Sequence, residues 1–351
     1  MRQHRVYAHE TLVASAKAAH LARRAPDYGV VIDGAVTVDM ARVKARAQAV
    51  VTASGGGLED WLGRMRGCTV LRGHAAFESP THVRVGGNVL SAPRVFINVG
   101  GRAWAPNMPS MGEVPHLDNS SILALDRVAE HLVVVGGSYV GLEFAQVFRR
   151  FGAAVTIGRD AAALDRAGGR GRLDRHRGHP AGRGDRCANE RQVRRLQAAR
   201  ARGGRHRRLH GGGARGGGFA SVARRGAAPN TDDLGLERAG VATDARGFIT
   251  VDETLATNVP GIWALGDCNG RGASTHTAYN DFEIVAANLL DGASRRLSER
   301  IPAYALYIDP PLGRVGVTEA KARASGRPLL VGSRPMTRVL RAIEKGEPRG
   351  S

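Results

Sequence analysis

The chain has 351 residues, 42% of them apolar, so two or three domains with buried cores are within reach, while no run approaches the ~18 consecutive apolar residues of a membrane span and the first twenty residues interleave charges where a signal peptide would be apolar. Three widely spaced cysteines, Cys68, Cys187 and Cys268, exclude a disulfide scaffold and a Cys-x-x-Cys metal site, and a soluble cytoplasmic protein with no membrane partner is expected. The formal charge of +19 would suggest nucleic acid, but residues 161–230, with 18 Arg, no Lys and 4 acidic residues, supply +14 of it.

Residues 11–24, TLVASAKAAHLARR, carry small and apolar residues at helical spacing and predict a helix. Short strand signals follow in YGVVID, GCTVLRG, HVRVGG and RVFINVGG, with turn residues between them. The segment 131–157, HLVVVGGSYVGLEFAQVFRRFGAAVTI, reads as strand, Gly-rich turn, helix and second strand, the first βαβ portion of a dinucleotide-binding domain. Within its turn, Gly136, Gly137, Ser138, Tyr139, Val140 and Gly141 are the candidate binding residues. Gly136 lets the chain leave the strand sharply, Gly141 lets the helix approach the sheet, and the helix amides face a pyrophosphate. Ser138 stands where the fingerprint has its central Gly. The acidic residue expected about 20 positions on, which would hold the ribose of NAD, is missing. Gly158 and Arg159 stand there, and an Arg suits a 2′-phosphate, which inclines the reading to NADP.

From 161 to 226 the sequence is Arg, Gly, Ala and His. Its few large apolar residues follow neither a 2.0 nor a 3.6 period, so the stretch is expected to be disordered. Residues 247–290 are orderly again: an alternating strand, a Pro-Gly turn, the short strand GIWAL, Gly266-Asp267, a polar loop and an apolar helix. Gly266 permits close approach of a ligand, and Asp267 at a strand end can accept a sugar hydroxyl. On periodicity alone Asp267 serves equally well as an N-cap.

Several of these segments resemble the pyridine nucleotide-disulfide oxidoreductases. TLATNVPGIWALGD is similar to their second flavin-binding motif and GGSYVGLEFAQVFRRFGAAVTI to their nicotinamide-nucleotide motif. APNTDDLGLERAGV resembles the segment between those two, without the expected Gly-Arg. INVGGRAWAP at 97–106 resembles the end of the first flavin segment, and YIDPPLGRVGVTEAKA, within 304–322, the opening of the interface domain. The wording GGSYVGLE and THTAYNDFEIVAANLL is nearest the mercuric reductase and dihydrolipoamide dehydrogenase branch.

The resemblance implies an α/β fold with two interleaved Rossmann-like dinucleotide-binding domains, for FAD and NAD(P), plus a truncated α+β interface domain. It implies FAD and NAD(P)H as cofactors, a small-molecule electron acceptor, and a homodimer whose interface is incomplete here. Nucleic acid would be met only through non-specific charge. Gly100, Gly266, Asp267, Thr275 and Ala278 would belong to the flavin site, with Asp267 on the ribityl chain. Tyr139 would gate the nicotinamide, and Glu143 would pair with a lysine near the flavin. On the residues alone, Tyr139 could equally pack on the sheet and Glu143 be a solvated charge.

The departures carry as much information. Counting back from the T-L-x-x-S-A helix at Thr11 puts Glu10 in the family's lysine slot and Val6 and Met1 in the two redox-cysteine slots, so no catalytic residue is assigned. The N-terminal βαβ unit and the terminal His-x4-Glu pair are also missing. The expectation is a family member truncated at both ends and read out of frame through residues 1–10, most of 159–226 and 347–351. The domains then run 1–126 (residual FAD-binding, first segment), 127–246 (NAD(P)-binding, with 161–226 disordered or out of frame), 247–300 (FAD-binding, second segment) and 301–351 (truncated dimerisation domain).

Overall fold

The computed structural model describes residues 2–103, 116–135, 138–159, 186–189, 219–223 and 227–348. Along the chain come helices α1 (Arg2–Arg23) and α2 (Met40–Arg64), then strands β1 (Ala75–Ser79), β2 (His82–Val85), β3 (Asn88–Ser91), β4 (Val95–Ile97), β5 (Gly101–Ala103) and β6 (His131–Val135). Helix α3 (Tyr139–Phe151) leads to β7 (Ala154–Arg159), β8 (Arg186–Asn189), β9 (Phe219–Ala223) and β10 (Ala227–Pro229). Helix α4 (Leu236–Ala239), β11 (Ile262–Ala264), α5 (Thr275–Leu290), β12 (Ala303–Leu306), β13 (Leu312–Val315), α6 (Glu319–Ala324) and α7 (Leu340–Glu344) complete the order. The fold is α/β.

Two compact units share the chain. The first comprises Met1–His4, Thr52–Trp104 and Gly226–Ile301, and the second Arg5–Val51, Ala105–Arg225 and Pro302–Ser351.

The second unit is organised by a four-stranded parallel sheet in the order β8-β7-β6-β9. Leu132, Val133 and Val134 of β6 are fully buried, as a strand covered on both faces requires. Helix α3 is the crossover from β6 to β7. Its Phe144, Phe148 and Phe151 join Leu132, Val134 and Val155, with Leu12 and Ala16 of α1 and Met40 and Ala47 of α2, in one buried cluster. Each such Phe contributes roughly 1.5–3 kcal/mol of burial. Gly152, at φ +114°, ends α3 in the left-handed conformation.

The first unit contains the antiparallel meander β1-β2-β3, the antiparallel pair β5-β10 and the parallel pair β4-β11. Ile97, Ile249, Leu255, Ile262, Ala264, Ile284 and their neighbours form its core.

In five places the structure departs from the sequence reading. The strands predicted at YGVVID and GCTVLRG do not form. Val31 is 85% exposed and Val70 and Leu71 are exposed as well, because β-branched residues make a strand only where a neighbouring strand takes up their backbone groups. Helix α2 carries apolar Met40, Val43, Ala47 and Val50 at helical spacing, a signal masked by the Gly55-Gly56-Gly57 run inside it. Residues 2–10 continue the helix of 11–23 without a break, and Ala8 packs against the core. Finally, β8 and β9 lie within the stretch expected to be disordered. They pair in parallel register with β7 and β6 through backbone hydrogen bonds, which side-chain periodicity does not encode. The other residues of 161–226 lie outside the described residues. The segment 227–246, assigned by sequence to the nicotinamide domain, packs in the first unit: β10 pairs with β5, and Leu234, Leu236, Ala239 and Val241 enter that unit's core.

Candidate functional site

Each unit holds a turn that leads from the carboxyl end of a parallel strand into a helix N-terminus, the place where open α/β sheets bind ligands. In the second unit, β6 ends beside β7 with Val135 opposite Gly158, and α3 starts at Tyr139. Ser138 caps it by accepting the Gly141 N–H at 3.3 Å. Val140 and Gly141 are buried, whereas Tyr139 is 41% exposed at the helix entrance. Unsatisfied amides and the helix dipole make this end attractive to an anion. Gly136 and Gly137 lie outside the described residues, as does the side chain of Arg159, the last residue of β7.

Glu143 is 3% exposed. Its Oε1 accepts the Tyr307 N–H at 2.7 Å, and its Oε2 lies 3.4 Å from His9 Nε2, whose ring stacks on Phe144 at 4.5 Å. The resemblance implies a lysine for Glu143; among the described residues its buried carboxylate faces His9 and the Tyr307 N–H. One helical turn on, Gln146 bonds both backbone groups of Asp309, and Arg150 meets its carboxylate at 2.5 Å. Burial opposes ionisation of Asp309, but Arg150, with Lys17 at 3.5 Å, outweighs it and holds the carboxyl below its usual range. The spacing of Glu143, Gln146 and Arg150 along one face of α3 is the signal that sequence reasoning passed over.

In the first unit, β4 and β11 run parallel, and the Leu265 N–H donates to Ile97 O at 2.8 Å just past their ends. Gly100 follows β4 at φ +71°. Gly266 follows β11, also at φ +71°, and a Cβ there would lie 2.8 Å from Asn98 Oδ1 and 3.2 Å from Ala278 Cβ, so only glycine fits. Asp267 is 4% exposed in the short 3-10 turn Gly266–Asn269. Helix α5 begins at exposed Thr275, capped by Ser274. The structure thus gathers Gly266, Asp267 and Ala278 at one turn, with Gly100 past the adjacent strand and Thr275 at the helix start.

A residue that holds this turn went unread in the sequence. Asp281 of α5, 1% exposed, accepts the Gly266 N–H at 2.7 Å and Asn269 Nδ2 at 2.9 Å, and its other oxygen meets Arg300. The sequence signal was the pair of acids, Asp281 and Glu283, inside an otherwise largely apolar helix. Between the tied residues sits Cys268, fully buried, whose thiol is pushed up to about 11 by burial. Cys68 and Cys268 are free thiols. Among the described residues no cluster of three or more His, Cys, Asp or Glu could hold a metal ion, and no helix is long and apolar enough to cross a membrane.

A family model described as pyridine nucleotide-disulphide oxidoreductase matches residues 3–281. An Escherichia coli K12 protein described as a probable pyridine nucleotide-disulfide oxidoreductase, RclA, is 32% identical over 306 residues, covering 82% of this chain and 66% of its own length. A mercuric reductase from Streptomyces lividans is 30% identical over 292 residues, 81% of this chain and 61% of that protein. The dihydrolipoyl dehydrogenase of Cupriavidus necator is 29% identical over 338 residues, 92% and 69%. The solved structure of the HOCl-induced flavoprotein disulfide reductase RclA from Escherichia coli matches 98% of this chain and 75% of its own, at 27% identity and a TM-score of 0.79. The chain thus spans about two thirds of the length of the curated relatives it matches.

Proposed function

The chain belongs to the pyridine nucleotide-disulphide oxidoreductase family, and from that membership we propose that it is an FAD- and NAD(P)H-binding flavoprotein of the disulfide-reductase type whose own turnover is weak or absent. The observation that carries the reading is the pair of strand–turn–helix sites, one in each compact unit, each with a serine-capped helix N-terminus.

The residues present suit the two dinucleotides. In the first unit, the Asp267 carboxylate can accept ribityl hydroxyls of FAD, while the amides opening α5 at Thr275 favour its pyrophosphate and Gly100 and Ala278 leave room beside it. In the second unit, the amides at the start of α3 favour the nicotinamide dinucleotide's pyrophosphate, Tyr139 covers the entrance, and Arg159 suits a 2′-phosphate, hence NADPH over NADH. When bound, the reduced nicotinamide supplies a hydride and the flavin accepts the electron pair. His9 and Glu143 would hold a proton between an imidazole and a carboxylate beside α3. Onward transfer is where the chain falls short, since Val6 and Met1 occupy the positions that the resemblance gives to the redox cysteines. A mercuric-reductase-like acceptor is the finer reading, supported by the GGSYVGLE and THTAYNDFEIVAANLL wording and by the Streptomyces relative. A homodimer is supported by family habit and a cytoplasmic setting by the charged first twenty residues, and nucleic acid would be retained only by the charge of 161–230, in a salt-sensitive way.

The test is titration of the full chain with FAD, NADPH and NADH. Visible flavin absorbance should be retained, Asp267→Ala should weaken FAD binding at least about tenfold through loss of charge-assisted hydrogen bonds, and NADPH should bind more tightly than NADH. A parent chain that takes up no FAD sinks the reading. NADPH oxidation above a boiled control, with a disulfide, flavin or mercuric acceptor, would overturn the weak turnover.

A further inference from the structure

A single carboxylate on the second turn of α5 ties down both ends of the turn that carries Asp267. Oδ2 of Asp281 accepts from Gly266 N–H and Asn269 Nδ2, at 2.7 and 2.9 Å. Asn269 in turn donates to Ala264 O at 3.0 Å and accepts the Arg271 N–H at 2.8 Å, so the last residue of β11 and the residue beyond the turn are joined through it. Arg300, 12% exposed, covers Oδ1, and its Nε donates to Asn280 at 2.7 Å. A carboxylate at 1% exposure is costly unless its oxygens are used and its charge is met. Arg300 meets the charge and three donors use the oxygens. Asparagine could not do the same, because one side of an amide is itself a donor and would face either Arg300 or the Gly266 N–H.

We propose that Asp281 and Arg300 are positioning residues, which hold the Gly266–Asn269 turn, and with it Asp267, in the shape that receives the ribityl chain of FAD. The proposal rests on the flavin-binding reading above and adds to it a buried ion pair acting through Gly266 and Asn269 rather than on the ligand. It also makes Cys268 a reporter that needs no flavin, since its fully buried thiol lies between the two tied residues and donates to Leu265 O at 3.2 Å. If the carboxylate shapes the turn, removing it opens the thiol to solvent before the unit as a whole unfolds.

The experiment uses the full chain with Cys68→Ser and Cys187→Ser as parent. FAD affinity is measured by flavin fluorescence, the rate of Cys268 modification by an aromatic disulfide without flavin, and the melting temperature of each variant. Asp281→Asn is expected to weaken FAD binding at least about tenfold, equivalent to about 1.4 kcal/mol, and to speed Cys268 modification by at least the same factor. Arg300→Lys, which keeps the charge, should fall between the parent and Arg300→Met in both readouts, and this pair decides the matter if Asp281→Asn does not fold. The control is Leu236→Ala, a core change in the same unit away from the turn, compared at matched loss of melting temperature. Unchanged FAD affinity in Asp281→Asn overturns the proposal, and so does equal loss of affinity with equal thiol exposure in Leu236→Ala. If the parent takes up no FAD, the flavin reading falls instead, and a Cys268 rate unaltered by Asp281→Asn then overturns the turn-holding role as well.

Discussion

The two strand–turn–helix sites solve one problem with different supports. In the second unit the helix is held by its apolar face: Phe144, Phe148 and Phe151 are buried against β6 and β7, and Ser138 caps the helix start. In the first unit α5 exposes Tyr279, Phe282 and Leu290, buries few apolar side chains, and its turn is tied by the Asp281–Arg300–Asn269 network. A helix with a broad apolar stripe is insensitive to the loss of any one polar contact. A turn held by directional bonds to a single buried carboxylate stands or falls with it. The difference teaches that similar strand–turn–helix geometry can rest on close packing or on polar satisfaction, and that the two fail under different substitutions.

The sharpest way to break this comparison is Phe148→Ala. Phe148 is fully buried and meets Phe151 edge-on, with ring centroids 6.0 Å apart. Truncation removes its burial and leaves a cavity, for an expected loss of about 3–5 kcal/mol by urea unfolding, whereas Phe148→Leu should lose only a fraction of that. The buried clusters of the two units have no residue in common. Cys268 modification under native conditions should therefore stay slow in Phe148→Ala. A rate as fast as that of Asp281→Asn would show that the supports are not separate.

A smaller effect is expected at the cap. Ser138→Ala leaves the Gly141 N–H without its acceptor and should cost about 1 kcal/mol. Ser138→Asp sharpens the point, because it restores the cap and complements the helix dipole, yet places a negative charge where a pyrophosphate would bind. Stability should be kept and NADPH affinity lowered. If Ser138→Asp instead binds NADPH as well as the parent does, the start of α3 is not the phosphate site.

The sequence was legible where local chemistry and tertiary context agree. The apolar strand HLVVV, the capped turn and the Phe-rich helix of 131–157 can be read directly, since burial on both faces needs a continuous apolar run and α3 needs a 3.6 period. Gly266 was legible as a glycine that must be one, although its physical reason, the approach of Asn98 and Ala278, is visible only in three dimensions. Asp281 and His9 were not. Asp281, two residues from Glu283, reads as one more helix-surface acid until its donors arrive from residues 266, 269 and 300, and His9 gains meaning only when α1 lays it on Phe144. The failed strands at 28–33 and 67–73 show the converse: apolar residues with turn signals around them predict a strand, but a ladder needs a partner.

The smallest expected effect tests an ionic element on the otherwise apolar side of the comparison. In the unfolded chain Asp309 titrates near ~3.9, while in the fold Arg150 and Lys17 hold it lower against the opposing pull of burial. A carboxyl lowered on folding contributes stability that is present above its unfolded value and is lost as pH falls through the folded one. His20, close enough to Arg150 for that charge to act on it, is lowered first by burial and then by Arg150 and Arg24. A base lowered on folding destabilises the native state as pH drops below its unfolded value of ~6.5, because the unfolded chain binds the proton first. Stability of the second unit should therefore fall in two separate steps on acidification, the upper from His20 and the lower from Asp309. Unfolding free energies of the parent, His20→Gln and Asp309→Asn between pH 8 and pH 2 separate them. His20→Gln should remove only the upper step, and the deficit of Asp309→Asn should be constant near neutrality and shrink toward pH 2. An Asp309→Asn variant with no deficit at any pH would mean that the site is held by the backbone bonds of Gln146, and that the second unit relies on charge even less than the contrast with the first requires.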